Sequence, residues 1–383
     1  MKIYLDNAAT SWPKPEAVYT AMDCFQRNIG ANPGRGVTQS SLASSALVLE
    51  TRELLAELFH INDPLRIAFT LNVTEALNLA LKGILLPGDH LIISGMEHAA
   101  LARPAFALRK QGIELAVVPC DAEGLLDVRD LAKAIRPNTK MVGLLHASNV
   151  TGTIQPIAEV GKLCREKEIL FLVDSAQSAG VLPIDVNRQC IDILAFTGHK
   201  GLLGPQGTGG IYVRPGIAIR PLKEGGTGSW ARNMEQPDIM PDCLESGTLN
   251  TPGIIGLGAG VRFILAQGLE RIRLHEQQLT ALLWHNLKKI PGMTVYGPSD
   301  LNGRTAVVSF AVDNMDPNQI SSFLEMDYRV VTRAGLHCAP LAHQTIGTLP
   351  GGTCRLSPGF FTGGREIDVV IQAIEEITRK YRR

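Results

Sequence analysis

Three short polar segments carry residue types that suit catalysis, and each follows an apolar run of the sequence. They are residues 174–177, 197–200 and 146–149, which together hold a carboxylate, a lysine, two histidines and two amides. Each residue alone has an ordinary explanation, such as helix capping for Asp174 or solvent exposure for Lys200. If the three preceding runs are neighbouring strands, however, these groups converge on one edge of one sheet and predict a site.

Lys200 lies in residues 196–205, a segment with almost no other charge. A lysine that is removed from water suits Schiff-base chemistry with a carbonyl group. Asp174, at the end of a neighbouring run, is the partner that a pyridinium nitrogen requires. Residues 70–76 open a helix pattern whose cap is Asn72 or Thr74, and its first amides suit a phosphate. Taken alone, that last segment favours an ordinary helix N-terminus.

Apolar runs alternate with helical patterns between residues 67 and 213. The runs at 91–94, 115–118, 141–145, 169–173, 193–196 and 210–213 are short and continuous, which is typical of strands buried on both faces. Helical periodicity occupies residues 73–83, 99–110, 128–134 and 157–168. This alternation predicts an α/β fold with a mostly parallel mixed sheet covered by helices. Ligands of such sheets lie beyond the carboxyl ends of the strands.

The pattern changes after residue 260. We expect one long amphipathic helix over residues 263–290, strands at 305–312 and 328–331, and helices at 317–326 and 366–381. This predicts a large domain over residues 14–262 and a smaller C-terminal α+β domain over 263–383. Residues 1–13 are expected to pack with the smaller domain.

Two glycine-rich segments resemble nucleotide-binding motifs, but each lacks a feature that such a motif requires. Residues 255–260 follow no strand, so we interpret them as close helix packing. Residues 204–210 lack the lysine of a phosphate-binding loop, and we expect them to turn the chain into the strand at 210–213.

The composition excludes several classes of protein. The 37 Lys and Arg residues balance 37 Asp and Glu residues, so nothing favours nucleic acid or an acidic membrane surface as a partner. With 45% hydrophobic and 19% charged residues, the chain is expected to fold. Its seven cysteines include no CxxC pair, which predicts no metal site. The absence of a signal-peptide pattern and of a membrane-length apolar run predicts a cytoplasmic protein with free thiols.

The pattern Asp174-x-x-Gln177, followed by Gly198-His-Lys200, resembles that of fold-type I, pyridoxal 5'-phosphate-dependent enzymes of the aminotransferase class V group. More narrowly, the chain resembles the group II cysteine desulfurases and selenocysteine lyases. This resemblance runs from residue 4, in Tyr-Leu-Asp-Asn-Ala-Ala-Thr, to residue 357, in Cys-Arg-Leu-Ser. It implies the fold-type I transferase fold and a homodimer with shared active sites.

The resemblance also implies a role for each matching residue. Lys200 would bind the cofactor covalently, Asp174 would keep its ring nitrogen protonated, and Gln177 would lie near its phenolic oxygen. His98 resembles the histidine that stacks on the ring and transfers protons, although without the family a histidine that caps the next helix is the preferred interpretation. The other implied cofactor contacts are Asn72, Val73, Thr74, Thr197 and His199 around the phosphate, Asn149 beside the ring and the substrate, and Thr248 at the phosphate of the other subunit.

Arg333-Ala-Gly-Leu-His-Cys338 resembles the group II segment whose cysteine accepts sulfur. Arg355 matches the arginine that binds the substrate carboxylate, and Arg333 and Asn149 are expected to assist it. A planar guanidinium suits a carboxylate because it donates two parallel hydrogen bonds. The implied reaction converts L-cysteine to L-alanine and leaves a persulfide on Cys338, whose sulfur would then pass to a sulfur-acceptor protein or a small thiol.

Other functions remain open on the sequence. A selenocysteine lyase or a cysteine sulfinate desulfinase would turn over without Cys338. Another class V enzyme, an epimerase or an aminotransferase, would share the cofactor residues. A dimeric binding or scaffold protein on the same fold would retain none of the chemistry. Residues 356–364 and 32–36 depart from the group II pattern, which leaves the preferred substrate and the acceptor open.

Overall fold

A seven-stranded sheet forms the centre of the computed structural model, which describes residues 2–34, 36–228 and 234–382. In chain order, the described strands are β1 (Ile3–Tyr4), β2 (Ile67–Thr70), β3 (His90–Ser94), β4 (Glu114–Val118), β5 (Thr139–Leu145), β6 (Leu170–Asp174), β7 (Ile193–Thr197), β8 (Gly209–Val213), β9 (Met293–Tyr296), β10 (Val308–Val312), β11 (Val330–Val331), β12 (Arg333–Gly335) and β13 (Thr353–Leu356).

The large sheet is covered by helices on both faces. The described α-helices are α1 (Glu16–Asn28), α2 (Gln39–Phe59), α3 (Val73–Ile84), α4 (Ala99–Arg109), α5 (Val128–Ala134), α6 (Ile157–Glu166), α7 (Thr251–Gln267), α8 (Leu269–Leu287), α9 (Pro317–Tyr328), α10 (Pro340–Thr345) and α11 (Gly364–Tyr381). Phe171 and Val173 of β6 pack in one core cluster while Leu172 packs in the other, because alternate side chains point to opposite faces.

The strand order of the large sheet is β2-β8-β7-β6-β5-β3-β4. β8 is antiparallel to both of its neighbours, and the other pairs in the sheet are parallel. The predicted mostly parallel mixed sheet is therefore confirmed. The sequence prediction missed β2, a four-residue strand, and β2 is the strand that leads into α3.

A second sheet, in the order β12-β13-β10-β9, forms the C-terminal part of the structure. β1 pairs in parallel with β11, and Ile3 and Leu5 belong to the same hydrophobic cluster as the buried faces of α8 and α11. The predicted boundary after residue 262 falls inside α7, whose Ile264 still packs in the core of the large sheet. The domain limits therefore stay a prediction.

The prediction of a single helix over residues 263–290 is wrong. α7 ends at Gln267 and α8 begins at Leu269, and the two helices are bent by 84°. Gly268 makes the break with φ +82°, a backbone conformation that glycine adopts without a side-chain clash.

The glycine-rich middle of α7 is a packing surface, as predicted for residues 255–260. A Cβ atom on Gly260 would lie 2.5 Å from the carbonyl oxygen of Leu202, so the helix approaches the chain after β7 closely. In the described residues, no single helix passes the length and hydropathy test for a membrane span; α7 and α8 pass it only as a bent pair.

Candidate active site

The three predicted polar segments leave the sheet at the same edge. Asp174 is the last residue of β6, and its register partners are Leu145 at the end of β5 and Ala195 in β7. The amide of His146 donates to the carbonyl oxygen of Asp174 at 2.9 Å, which joins the first two segments directly. Parallel strands thus bring side chains from three distant parts of the sequence together, as the strand pattern predicted.

Lys200 and Asp174 form the electrostatic centre of this edge. Burial lowers the pKa of Lys200 to about 8; Asp174 acts against this shift, while Arg355 and Arg333 add to it. Asp174 is only 3% exposed, and burial raises its pKa, although a hydrogen bond from the Ala176 amide and the charge of Lys200 oppose that rise. A lysine that is readily deprotonated therefore lies near a buried carboxylate.

His98 caps α4 and lies in the field of the same cations. Its Nδ1 accepts a hydrogen bond from the Ala100 amide at 3.1 Å. Burial, followed by the charges of Lys200, Arg333 and Arg355, lowers the pKa of His98 to about 4. His98 is consequently neutral near pH 7, and because Nδ1 accepts, Nε2 carries the ring proton.

The start of α3 lies across the sheet from the end of β7. Thr70 pairs with Gly209, and Gly209 pairs with Thr197, so one row of residues crosses three strands. Asn72 caps α3 through its side chain, which accepts from the Glu75 amide at 3.0 Å.

Helix geometry leaves the amides of Val73 and Thr74, the first two residues of α3, without an intrahelical acceptor. On the segment after β7, Nδ1 of His199 is buried and has no hydrogen-bond partner in the described residues. These donors suit an anion.

Among the described residues, the contacts of Gln177 and Thr248 do not connect them to the other predicted cofactor residues. The Gln177 amide nitrogen donates to the carbonyl oxygen of Ala8 at 2.9 Å, so this side chain contacts the N-terminal segment. Thr248 is exposed and lines a cleft with Glu75 and Lys223 beside the start of α3. Its contact with the phosphate of a second subunit stays a prediction.

Arg355 is buried on β13 and reaches two parts of the chain. Nη1 donates to the carbonyl oxygen of Asn149 at 3.0 Å, and Nη2 donates to Oδ1 of Asp6 at 2.7 Å. Nε of Arg355 and Oδ1 of Asn149 are buried without a partner in the described residues. The arginine is therefore held in place while part of its hydrogen-bonding capacity remains unused.

Cys338 is an exposed free thiol in a tightly held loop. His337 and Cys338 have φ +48° and +57°, a conformation that costs non-glycine residues about 1 kcal/mol or more each. Nδ2 of the Asn149 side chain donates to the His337 carbonyl oxygen at 2.7 Å, and the backbone amide of Ala99 donates to the Cys338 carbonyl oxygen at 2.8 Å. Nη2 of Arg333 lies 3.8 Å from the Cys338 sulfur. These contacts hold the thiol beside a cation.

Sequence reasoning did not single out Asp6 or Glu97. Asp6 is the carboxylate partner of Arg355, and Glu97 is fully buried between β3 and β5. Glu97 accepts from Oγ of Ser94 at 2.5 Å and from the Leu145 amide at 3.1 Å. Both carboxyls lie in segments that the family resemblance already included, at residues 4–10 and 95–98, but no local pattern revealed their partners.

The aminotransferase class-V family model matches residues 3–370 of the chain. The chain belongs to this family. Within it, the probable cysteine desulfurase of Methanothermobacter thermautotrophicus is 34% identical over 383 residues, which cover 98% of this chain and 94% of that protein. The probable cysteine desulfurase of Pyrococcus abyssi is 33% identical and covers 99% of this chain and 95% of its own.

Solved structures agree with this assignment. The apo cysteine desulfurase of Thermococcus onnurineus has a TM-score of 0.92 at 33% identity, over 99% of this chain and 95% of that chain. The cysteine desulfurase CsdA of Escherichia coli has a TM-score of 0.88 at 28% identity, with the same coverage. The predicted fold-type I class and the resemblance to cysteine desulfurases are confirmed, while the narrower group II assignment stays a prediction.

Proposed function

We propose that this enzyme is a pyridoxal 5'-phosphate-dependent cysteine desulfurase, in which Cys338 receives the sulfur of L-cysteine. One observation carries the proposal. The side-chain amide of Asn149 donates to the carbonyl oxygen of His337, the residue before Cys338, and the backbone carbonyl oxygen of Asn149 accepts from Arg355. A single residue thus ties the predicted nucleophile to the predicted substrate-binding arginine. Lys200 lies within the electrostatic reach of the same arginine.

The described residues fit the cofactor. Asp174 is buried and suits a protonated ring nitrogen, and the amides that open α3 suit the phosphate together with Thr197 and the unpaired Nδ1 of His199. We infer that Gln177 and Asn149 contact the ring. When bound, pyridoxal phosphate supplies an aldehyde that the Lys200 amine can attack and a ring that accepts electrons.

Arg355 is the proposed seat of the substrate carboxylate. Arg355 as a residue is only 1% exposed, and Asp6 and Asn149 hold its guanidinium in place. The guanidinium therefore needs little rearrangement to bind an anion. Its unpaired Nε remains available for one further hydrogen bond. Arg333 adds a second positive charge near the same place.

Proton transfer falls to Lys200 and His98. Because burial lowers the pKa of Lys200 to about 8, about a tenth of its amine is unprotonated at pH 7, far more than for a lysine with an ordinary pKa. His98 acts as an acid only as an imidazolium, which requires anionic groups in the site to raise its pKa from about 4 and requires Nδ1 to give up the hydrogen bond that it accepts from the Ala100 amide. Lys200 is therefore the stronger candidate for the first proton transfer.

Sulfur transfer is the proposed task of Cys338. The nucleophile must be a thiolate, and the Arg333 guanidinium is the cation beside it. The Cys338 sulfur forms a bond with the substrate sulfur as the carbon–sulfur bond breaks. The carbon fragment gains a proton and leaves as alanine, and Cys338 keeps the transferred sulfur as a persulfide.

We further propose a group II enzyme that acts as a cytoplasmic homodimer with shared active sites. The short interval between Cys338 and Arg355 supports the group II assignment, and the exposure of Thr248 is compatible with a contact to a second subunit. The exposed thiol of Cys338 suits discharge of the persulfide to an acceptor protein.

The test is the release of alanine and sulfide from L-cysteine by wild type and Cys338→Ala. We expect turnover to fall by about 100-fold or more, because the sulfur loses its acceptor, while the visible absorbance of bound pyridoxal phosphate persists. Cys24→Ala is the matched control, since Cys24 is also an exposed free thiol and lies in α1.

Full turnover of cysteine by Cys338→Ala would refute the sulfur-acceptor role. Turnover of selenocysteine or cysteine sulfinate alone by that variant would instead indicate a lyase or a desulfinase. If wild type releases neither alanine nor sulfide from cysteine, one of the other class V reactions, epimerisation or transamination, would be indicated. If the protein stays colourless when pyridoxal phosphate is added, a scaffold role would be indicated.

A further inference from the structure

A separate cavity lies between α8 and the chain that follows β7. Lys200 and Gln177 line one side of it, and Glu276 of α8 lines another, whereas Asp174 and Cys338 do not line it. The cavity therefore adjoins the proposed active site and shares Lys200 and Gln177 with it, but Asp174, Cys338 and Arg355 are not among its lining residues.

Glu276 places a buried carboxyl group, without a side-chain partner among the described residues, in the wall of this cavity. The residue is only 9% exposed, and its carboxyl has no hydrogen bond or ion pair within the described part of the chain. Arg273, one turn earlier on α8, donates instead to the carbonyl oxygen of Asn302 at 2.9 Å. Burial raises the pKa of Glu276 to about 8, and Arg273 acts against this rise, so without a cation in the cavity the carboxyl is mostly protonated near pH 7. An ionised carboxylate without a partner would be costly there, and a cation in the cavity would take the place of the proton.

The neutral polar groups of the cavity wall are already used within the protein. Oγ of Ser11 donates to the carbonyl oxygen of Lys200 at 2.9 Å, and Oγ1 of Thr305 donates to that of Gly152 at 3.3 Å. Glu276 is the only acidic residue that lines this cavity in the described part of the chain.

The rest of the lining is largely apolar and includes two aromatic rings. Phe360 and Phe361 line the cavity with their ring centroids 5.2 Å apart in an edge-to-face arrangement. Ile272 and Leu203 add aliphatic surface. Aromatic faces attract cations, and apolar walls favour alkyl groups around the charge over a strongly hydrated ion.

We infer that this cavity binds a small organic cation, an ammonium with alkyl groups on its nitrogen, with Glu276 as the counter-ion and Phe360 and Phe361 against the alkyl groups. The site is separate from the carboxylate seat at Arg355, which binds the opposite charge. It goes beyond the proposed desulfurase reaction and does not depend on it.

Tetramethylammonium chloride is the probe for the test, because it has no N–H group and cannot condense with the cofactor aldehyde. Isothermal titration into the pyridoxal phosphate-loaded protein is expected to show saturable binding to wild type. Binding to Glu276→Gln should be at least about tenfold weaker, since the amide keeps the shape and loses the charge. Neutral tert-butanol should show no comparable binding.

Glu270→Gln is the matched control, because Glu270 is exposed on the same helix, and it should bind the probe as wild type does. If Glu276→Gln does not fold, Phe360→Leu serves in its place and should weaken binding severalfold. Absence of saturable binding to wild type, or equal binding by the folded variant and wild type, would overturn the inference. Turnover of cysteine without the probe is measured separately, so a failure of the proposed function remains distinguishable.

Discussion

Asp6 and Arg355 form a buried ion pair with a distance of 2.7 Å between Oδ1 and Nη2, although they are 349 positions apart in the sequence. Their side chains are 17% and 2% exposed. The pair joins the segment after β1 to β13, and the other terminal nitrogen of Arg355 reaches Asn149. Asp6 thus positions the arginine that we propose as the carboxylate seat.

Replacing Asp6 with Ala is expected to lower the free energy of unfolding by about 3 kcal/mol, because it leaves a buried guanidinium without its counter-ion. It should also raise KM for cysteine more than it lowers kcat, since Arg355 loses its orientation. Urea denaturation and steady-state kinetics measure the two effects. Asp23→Ala, in an exposed pair with Arg27, should change stability by less than about 1 kcal/mol. Equal effects of the two variants would show that the buried pair has no special role.

Lys200 is expected to react as a free amine at unusually low pH. Burial lowers its pKa to about 8, and a protonated amine is not nucleophilic, so acetylation of Lys200 in cofactor-free protein should rise with pH to a midpoint near 8. Peptide mass spectrometry follows the reaction at this one residue, and a free lysine peptide with a pKa of about 10.4 serves as the reference. A midpoint equal to that of the peptide would contradict the burial effect.

Glu97 predicts a specific pH dependence of stability. Burial is the main cause that raises its pKa to about 8 from an ordinary value of 4.5, and Asp174 adds to the rise. The folded state therefore holds a proton that the unfolded state has lost. As the pH rises from 4.5 to about 8, the free energy of unfolding of wild type should fall relative to that of Glu97→Gln, by up to about 1.4 kcal/mol per pH unit. Above pH 8 the difference between the two proteins should stay constant.

Denaturation of both Glu97 proteins across this pH range measures the difference. Glu114→Gln is the control, because Glu114 is exposed and paired with Arg136, and it should show no such slope. A constant difference between wild type and Glu97→Gln would mean that Glu97 is ionised in both states.

Gly260→Ala tests the packing of α7. The added methyl group would lie 2.5 Å from the Leu202 carbonyl oxygen, and overpacking of this kind costs about 1–3 kcal/mol. Thermal and urea unfolding measure the loss. At Gly351 a Cβ would meet nothing within 4 Å, so Gly351→Ala should be nearly neutral. A neutral Gly260→Ala would remove the packing interpretation of this glycine-rich segment.

The sequence predicted the central sheet well, because strands buried on both faces leave continuous apolar runs. Asp174 and Lys200 could be located before the structure was known, since each follows such a run. The predicted starts of α3 at residue 73 and of α4 at residue 99 agree with the structure, because caps at Asn72 and His98 mark them.

Features that depend on distant contacts were not predictable. Nothing near Asp6 indicates Arg355, and nothing near Glu276 indicates a cavity. The bend at Gly268 was missed because the apolar pattern continues through it, and one glycine in a helical pattern is a weak signal. The short strand β2 was missed because four residues give too little periodicity.

The parallel pairing of β1 with β11 has a consequence for the synthesis of the chain. Ile3 and Tyr4 are synthesised long before their partners Val330 and Val331, which lie 327 positions later in the sequence. Until then the N-terminal strand has no partner, and Asp6 cannot meet Arg355. Closing so long a loop is also entropically slow, so we expect the nascent chain to complete its large sheet first and its substrate pocket only after Val331 and Arg355 have been synthesised.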